Sequence, residues 1–135
     1  MSVGAADFSP TRFSTDDVSE ADRLPRWREE FGRTLVNVDI QPISSELPFR
    51  GEAIMRTLPG LGTGVFGGTA MHYDRTRALA ADSDGSIGLI VNLAAKAVAA
   101  QGSETLVLGA GEAVAVLTEL PGKLTATNHL GILLP

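Results

Sequence analysis

The stretch from Phe13 to Ile40, FSTDDVSEADRLPRWREEFGRTLVNVDI, decides how the fold of this chain begins. Ser19 is suited to cap a helix, and Asp22 completes a variant of the capping box three positions later. Apolar residues then recur at three- and four-residue steps, which places them on one helical stripe: Leu24, Trp27, Phe31 and Leu35. We therefore predict an amphipathic α-helix, with Trp27 and Phe31 as its structural anchors in the core.

The boundaries of this helix depend on two features of the same stretch. Pro25 removes one helical hydrogen bond, so the helix either kinks there or follows a short first turn. From Val36 the period changes, because Val36, Val38 and Ile40 alternate with polar residues. This alternation predicts a half-buried strand directly after the helix.

Most of the remaining sequence is typical of short strands between glycine and proline turns. Residues 49–58 alternate, whereas Ile87 to Leu93 is nearly continuous apolar sequence, which predicts a strand buried on both faces. Residues 93–101 are alanine-rich, which favours a helix by propensity alone. The following Gly102 and Ser103 are a two-residue hairpin signal, so we predict a hairpin there. The chain is expected to be mostly β, an antiparallel barrel or sandwich with one N-terminal α-helix.

Composition excludes several classes of protein. A chain of 135 residues with a net charge of −5 is one domain whose acidic balance disfavours nucleic-acid binding by these residues themselves. It contains no cysteine, which excludes disulfides and thiolate metal sites. Neither a membrane-spanning apolar run nor a secretory signal is evident. We expect a cytoplasmic protein with a flexible tail over residues 1–12 and one domain over residues 13–135.

Several motifs together resemble one family of regulators. The segments FSTDDV and WREEFGRTLVNVDI, then LPGL at residues 58–61 and LIVNL at residues 89–93, are similar to parts of the N-terminal ligand-binding domain of AraC/XylS-type transcription regulators. Residues 97–117, AVAAQGSETLVLGAGEAVAVL, look like the hairpin of that domain and its Gly-x-Gly-[Asp/Glu]-Ala turn. The resemblance covers the chain from about Phe13 to its end.

This resemblance implies a cupin-like double-stranded β-helix, which is a jelly-roll barrel, whose interior binds a small-molecule effector. It also implies a regulatory domain that is not an enzyme, has no cofactor and forms a homodimer in the cytoplasm. The two helix-turn-helix units through which that family binds DNA have no counterpart in these residues. The chain is therefore expected to be either the sensor part of a longer regulator or a stand-alone relative.

The effector cavity is expected to be lined by side chains of mixed polarity that project from the predicted strands. The candidates are Met55, Met71, Tyr73, Asn92 and Thr118. An effector held there would regulate by shifting an equilibrium between two arrangements of the sensor, which requires different affinities for the two.

An alternative function is that of a metal-dependent cupin enzyme. His72 and Asp74, with the distant His129, have the form H-x-D…H, which resembles the ligand set of the 2-His-1-carboxylate iron oxygenases. No Lys or Arg follows His129 as a co-substrate anchor, and the close histidine pair of metal-binding cupins is missing. We therefore predict no metal site and expect His72 and Asp74 on the polar face of a strand.

Two weaker patterns have simpler structural interpretations. The residues from Gly62 to Gly67, GTGVFG, match the G-x-G-x-x-G pattern of dinucleotide-binding loops, but no helical stripe follows them. A glycine-rich strand explains them better. Arg75 and Arg77 are suited to bind an anionic effector, although cations at this spacing on a strand more often form a solvated face.

Overall fold

The N-terminal helix begins directly after Ser19, as the sequence predicts. A computed structural model describes residues 10–44, 48–59 and 61–134, apart from the side chains of Thr34, Leu35 and Leu58. In it, helix α1 spans Glu20–Arg26. The Ser19 hydroxyl donates to the Asp22 carboxylate at 2.8 Å and does not cap a backbone N–H. The predicted position of Leu35 on the apolar stripe lies outside the described side chains.

From Trp27–Val36 the chain continues as a π-helix. Pro25 lies inside α1 just before this change and has no N–H to donate, so one α-helical hydrogen bond is missing there. Asn37 ends the helix in the left-handed conformation, with φ 57°, and its N–H donates to the Gly32 carbonyl five residues back. The prediction of a strand from Val36 was therefore wrong, because Val36 is helical and the strand begins only at Asp39.

Two antiparallel sheets enclose the core. The strands are β1 (Thr11–Ser14), β2 (Asp39–Pro42), β3 (Gly51–Leu58), β4 (Leu61–Gly68), β5 (Met71–Arg75), β6 (Ile87–Asn92), β7 (Ala97–Gln101), β8 (Glu104–Leu108), β9 (Ala113–Leu117), β10 (Gly122–Ala126) and β11 (His129–Leu134). The larger sheet has the order β1-β3-β4-β11-β6-β9, and the smaller sheet has the order β2-β5-β10-β7-β8. A second short helix, α2 (Arg77–Ala80), follows β5.

The observed strands confirm some of the predictions from the sequence and contradict others. The hairpin around Gly102 is confirmed, since β7 and β8 pair in antiparallel register. The prediction that Ile87 to Leu93 is buried on both faces was wrong. Gly88 and Asn92 face the core, whereas the Ile87 side chain is 43% exposed. β1 begins at Thr11, within the predicted tail, of which residues 1–9 lie outside the described residues.

Polar contacts fix the end of the π-helix to the barrel. Arg75 donates one hydrogen bond to the Val36 carbonyl at 2.9 Å and one to the Thr118 carbonyl at 3.2 Å, so it is neither a free cation nor part of a solvated face. Burial lowers the pKa of this guanidinium. Arg28 pairs with Asp39 at 2.8 Å, and this hydrogen bond lowers the pKa of the carboxyl group. The helix is thereby held against β2 and β5.

No helix within the described ranges is both long and apolar enough to cross a membrane.

Candidate functional site

An aromatic column runs from the π-helix into the barrel, and we define it as Trp27, Phe31, Phe66, His129 and Tyr73. The Trp27 and Phe31 rings stack with their centroids 4.3 Å apart. Phe31 then meets Phe66 at 5.2 Å, and Phe66 meets His129 at 4.9 Å. The Tyr73 ring lies edge-on to His129 at 5.1 Å. Helix and barrel interior are therefore in continuous contact through aromatic rings.

Glycines make room for the rings of this column. A Cβ at Gly51 would lie 2.7 Å from the Trp27 ring, so Trp27 packs directly on the backbone of β3. Gly64 and Gly131 are register partners. A Cβ would lie 2.5 Å from the Phe66 ring at Gly64 and 3.1 Å from it at Gly131. The GTGVFG stretch is thus a strand, β4, and β5 follows it where a dinucleotide loop would need a helix.

Two buried polar groups lie beside the inner end of the column. His129 on β11 is the register partner of Asn92 on β6, so their side chains are neighbours on the inner face of the larger sheet. Both are buried, and within the described part of the chain His129 Nδ1 and Asn92 Oδ1 have no hydrogen-bond partner. Leaving such a group unpaired costs about 1–3 kcal/mol. Each of these two atoms can therefore accommodate a further hydrogen-bond partner, such as a water molecule or a ligand.

The amide nitrogen of Asn92 has a structural role. It donates to the carbonyl oxygens of Ala95 and Leu108 at 2.9 Å and 3.0 Å, which holds the turn before β7 and the end of β8. Its Oδ1 atom lies on the inner side of the sheet and takes part in neither of these hydrogen bonds. Burial also lowers the pKa of His129 to about 4, so the imidazole is neutral near pH 7. The site offers hydrogen-bonding atoms without a net charge.

The five predicted cavity residues are only partly brought together. Met71 and Tyr73 are buried on β5, where the Tyr73 hydroxyl contacts the Met71 sulfur at 3.5 Å, and burial raises the pKa of Tyr73. Met55 packs on the edge of the same core. Thr118 lies at the opposite end of β6 from Asn92, about 20 Å away at the usual rise per residue, and its hydroxyl bonds to Ser83 and Ser86. Sequence reasoning missed Phe66, whose signal was an aromatic residue within a glycine-rich strand.

The three residues of the alternative iron site are separated. Tyr73 faces the core, so its neighbours His72 and Asp74 face outward from the smaller sheet. His72 Nδ1 instead lies 2.8 Å from the Thr125 hydroxyl. His129 faces inward from the larger sheet, and no cluster of metal-ligating side chains occurs among the residues that the structure describes. The H-x-D…H pattern therefore does not correspond to one site in this fold.

Two surface pockets flank the aromatic column. One, of about 240 Å³, lies between β1 and the helix and is lined by Phe13, Trp27 and Phe31, with Arg26 and Glu30 at its rim. The other, of about 290 Å³, lies at the start of β3 and has Phe66, Leu93 and Asn128 in its wall. None of the five predicted cavity residues contributes to either pocket. Phe66, in the wall of the second pocket, also makes the ring contact with His129.

Acidification is expected to destabilise the fold through His129. The pKa of this group is 6.5 in an unfolded chain and about 4 in the folded protein. The folded state binds the proton more weakly, so the stability that neutral His129 contributes is complete above pH 6.5 and is lost as the pH falls through 4. This contribution is about 3 kcal/mol. Urea unfolding curves at pH 7 and pH 4.5 measure it as the difference between the wild type and His129→Gln.

The exposed His72 supplies the control for this pH dependence. Since His72→Gln leaves the buried imidazole in place, it should lose stability with falling pH as steeply as the wild type does. If His129→Gln loses as much unfolding free energy between pH 6.5 and 4 as the wild type does, other groups are responsible for the acid sensitivity.

Comparisons with known proteins identify the fold. No family model matches the sequence, and no curated protein matches it. The solved structure of the AraC-like transcriptional activator CuxR matches with a TM-score of 0.77 and 14% identity, over 93% of this chain and 46% of that chain. A cupin superfamily protein from Desulfitobacterium hafniense DCB-2 matches with a TM-score of 0.50 and 10% identity, over 71% of this chain and 97% of that chain. This chain thus spans about half the length of the activator.

Identities this low establish the fold alone. The predicted fold class is confirmed, because the chain is mostly antiparallel β-structure with cupin-fold structural neighbours and an N-terminal helical region. The chain is a cupin-like β-barrel with a helix seated against it.

Proposed function

We propose that this barrel is the effector-sensing domain of an AraC-type transcription regulator and not an enzyme. The observation that carries the proposal is the pair of unpaired buried polar atoms, His129 Nδ1 and Asn92 Oδ1, in contact with the aromatic column. The likeness to the AraC-like activator over 93% of this chain supports the same function. DNA binding would belong to a helix-turn-helix region elsewhere in the parent protein.

The chemistry beside His129 selects a small neutral effector that carries hydroxyl groups. Asn92 Oδ1 only accepts hydrogen bonds, and a neutral imidazole can donate or accept one. A hydroxyl group can satisfy both atoms at once. A charged effector would lose its hydration without gaining an opposite charge, since the neighbouring side chains of Phe66, Met71 and Tyr73 are uncharged.

Binding at this position would act on the helix through the aromatic column. The Phe66 ring lies between His129 and Phe31, with centroid distances of 4.9 Å and 5.2 Å. An effector beside His129 must shift this ring, which changes the packing of Phe31 and Trp27 on the barrel. The effector would thereby favour a second arrangement of the helix, as a coupling free energy between the two sites requires.

Thermal unfolding in the presence of sugars, polyols, organic acids and nucleotides tests the proposal. A hydroxylated neutral compound should raise the unfolding temperature, since a ligand at 100 times its dissociation constant stabilises by about 2.7 kcal/mol. His129→Phe keeps an aromatic ring but removes the polar atoms, so it should abolish the shift. His72→Phe, on the outer face, should preserve it. Stabilisation that is unchanged in His129→Phe would contradict the proposed site.

Trp27 reports whether binding reaches the helix. It is the only tryptophan of the chain and is 3% exposed. An effector that displaces Phe66 should change the intensity or wavelength of Trp27 emission, with a midpoint equal to the dissociation constant from calorimetry. A compound that binds without any change in this emission would show that the barrel interior and the helix are not coupled.

A further inference from the structure

The outer edge of β9, the last strand of the larger sheet, is open. Within the described part of the chain β9 pairs only with β6. The N–H and carbonyl groups of Leu117 point away from β6, because they bond to the side-chain amide of Gln101 at 3.0 Å and 2.8 Å. Backbone groups of a strand take the same direction at every second residue, so Ala113 and Ala115 also direct theirs outward. Such an edge is a template for a further strand.

The Gln101 side chain already acts as a short strand partner at one end of this edge. Its amide accepts from the Leu117 N–H and donates to the Leu117 carbonyl. A residue of a neighbouring strand would exchange the same two hydrogen bonds. Ala113 and Ala115 are exposed, and no other part of the described chain pairs with their outward groups. The next residues along the edge are therefore free to bind an extended segment.

Two other edges of the barrel are protected in the usual ways, by charge, by proline or by a covering element. β1, at the opposite edge of the larger sheet, carries Arg12, which pairs with Glu52 at 3.2 Å. β2, at one edge of the smaller sheet, ends at Pro42 and is tied to the π-helix by the pair of Asp39 with Arg28. The sequence of β9, AVAVL, has none of these features.

A strand added at β9 would place its alternate side chains beside an apolar surface. Asn92 faces the core, so Ile87 and Leu89 face outward from β6. β9 continues this surface, with Leu117 in register with Ile87 and Ala115 in register with Leu89. Ile87 is 43% exposed and Leu117 is 42% exposed. Because Ala115 is small, a larger apolar side chain of the added strand can pack beside it.

The charges around this edge are acidic. Glu112 directly precedes β9, Glu119 follows it by two residues, and Glu104 begins the neighbouring β8. No lysine or arginine occurs in the sequence between Lys96 and Lys123. Complementary charge at the ends of an interface favours the right partner and disfavours acidic ones. A segment that binds here is therefore expected to carry basic residues at its ends.

We propose that the outer edge of β9 binds an extended peptide whose apolar side chains alternate and whose ends are basic. The peptide adds a strand to the larger sheet, with main-chain hydrogen bonds to Ala113 and Ala115. Its apolar side chains pack beside Leu117, and its basic ends lie near Glu112 and Glu119. This inference does not depend on effector binding beside His129.

Fluorescence anisotropy of a dye-labelled peptide tests the proposal on the purified chain, with alternating valine and threonine and a lysine at each end. The wild type should bind it with a dissociation constant in the micromolar range. Ala115→Pro removes an outward N–H and spares the ladder to β6, so it should raise this constant by about tenfold or more. Thr105→Pro is the matched control, since Thr105 is the outward residue next to the closing pair of the β7–β8 hairpin. It should bind as the wild type does.

Two further peptides separate backbone pairing from charge. A proline at the centre of the peptide removes a main-chain donor and should abolish binding. Glutamate in place of both lysines should weaken binding by about tenfold. Hydrogen exchange on the unaltered protein adds a local readout. The amides of Ala113 and Ala115 should exchange more slowly with saturating peptide than without it.

Circular dichroism first establishes that each variant is folded, and Ala113→Pro replaces Ala115→Pro if that protein is not. No binding at about 1 mM peptide, or unchanged exchange at Ala113 and Ala115, would overturn the proposal. Loss of binding in Thr105→Pro alone would place the peptide on β8 and overturn it equally. A mass above 14.1 kDa without peptide, restored to that value by Ala115→Pro, would mean that a second copy occupies the edge instead.

Discussion

Replacing Phe31 with alanine is expected to lower the free energy of unfolding by about 3–5 kcal/mol. The ring is 1% exposed and has three aromatic neighbours, with centroids 6.4 Å away for Phe13, 4.3 Å for Trp27 and 5.2 Å for Phe66. Its loss leaves a cavity where the helix, β1 and the barrel meet, and each aromatic pair is worth about 0.5–1.5 kcal/mol beyond buried area. Because domains are stable by only about 5–15 kcal/mol, urea unfolding should show a much lower midpoint.

Two control variants distinguish the loss of the Phe31 anchor from a general effect of removing apolar side-chain surface. Val107→Ala, at a position that is 62% exposed, should change the free energy of unfolding by less than about 0.5 kcal/mol. Phe31→Leu keeps most of the volume and should fall between the two. The remaining Trp27 should emit at longer wavelength in Phe31→Ala, because its stacking partner is gone. A loss below about 1 kcal/mol would mean that the helix is not held by this ring.

The anchors of the helix were predictable because their spacing is a local property of the sequence. Trp27 and Phe31 are four residues apart, which puts them on one face of an α-helix and also keeps them close in a π-helix. The change to π-helical hydrogen bonding was not predictable in the same way. It depends on which carbonyl group each N–H reaches, and this is decided by Pro25, by the left-handed Asn37 and by packing on β2.

Sequence patterns predict which face of a strand is exposed in β3 but not in β6. The alternating β3 was correctly predicted, because the polar residues Glu52 and Arg56 mark its solvent side. In β6 the outer face is apolar and the polar residue of the strand, Asn92, faces inward, so the sequence contains no sign of which face is uncovered. Only the register with β9 and β11 shows that Ile87, Leu117 and Leu134 form one exposed row.

The candidate site could not be predicted from local sequence patterns, because its residues come from strands of both sheets. His72 and Asp74 share a face by their spacing, but whether His129 shares it depends on the side of the barrel from which each strand projects. Asn92 was selected from its mixed-polarity strand, and the structure then places it beside His129. The contact between His129 and Phe66 arises only when β4 and β11 pair, far apart in the chain. Such pairing is a property of the assembled sheet.

Gly68→Ala is expected to lower the free energy of unfolding by about 2–5 kcal/mol, since two independent costs add there. Gly68 has φ +125°, which side chains rarely adopt, and its added Cβ would overlap the Arg50 carbonyl oxygen. The backbone cannot easily move away. Gly68 is the register partner of Gly51, and the Thr69 N–H donates to the same Arg50 carbonyl at 2.9 Å. Urea unfolding followed by circular dichroism measures the loss.

Two other glycines divide this loss into its causes. Gly111 has φ +86° and nothing near an added Cβ, so Gly111→Ala should show the backbone cost alone, about 1–2 kcal/mol. Gly62 has no positive φ and only an ordinary contact with Leu133 at 3.8 Å, so Gly62→Ala should be nearly neutral. If Gly68→Ala were no worse than Gly111→Ala, the close approach to Arg50 would be refuted. The backbone at Gly51, on which Trp27 packs, would then have room to move, and the helix would be seated less rigidly than these contacts require.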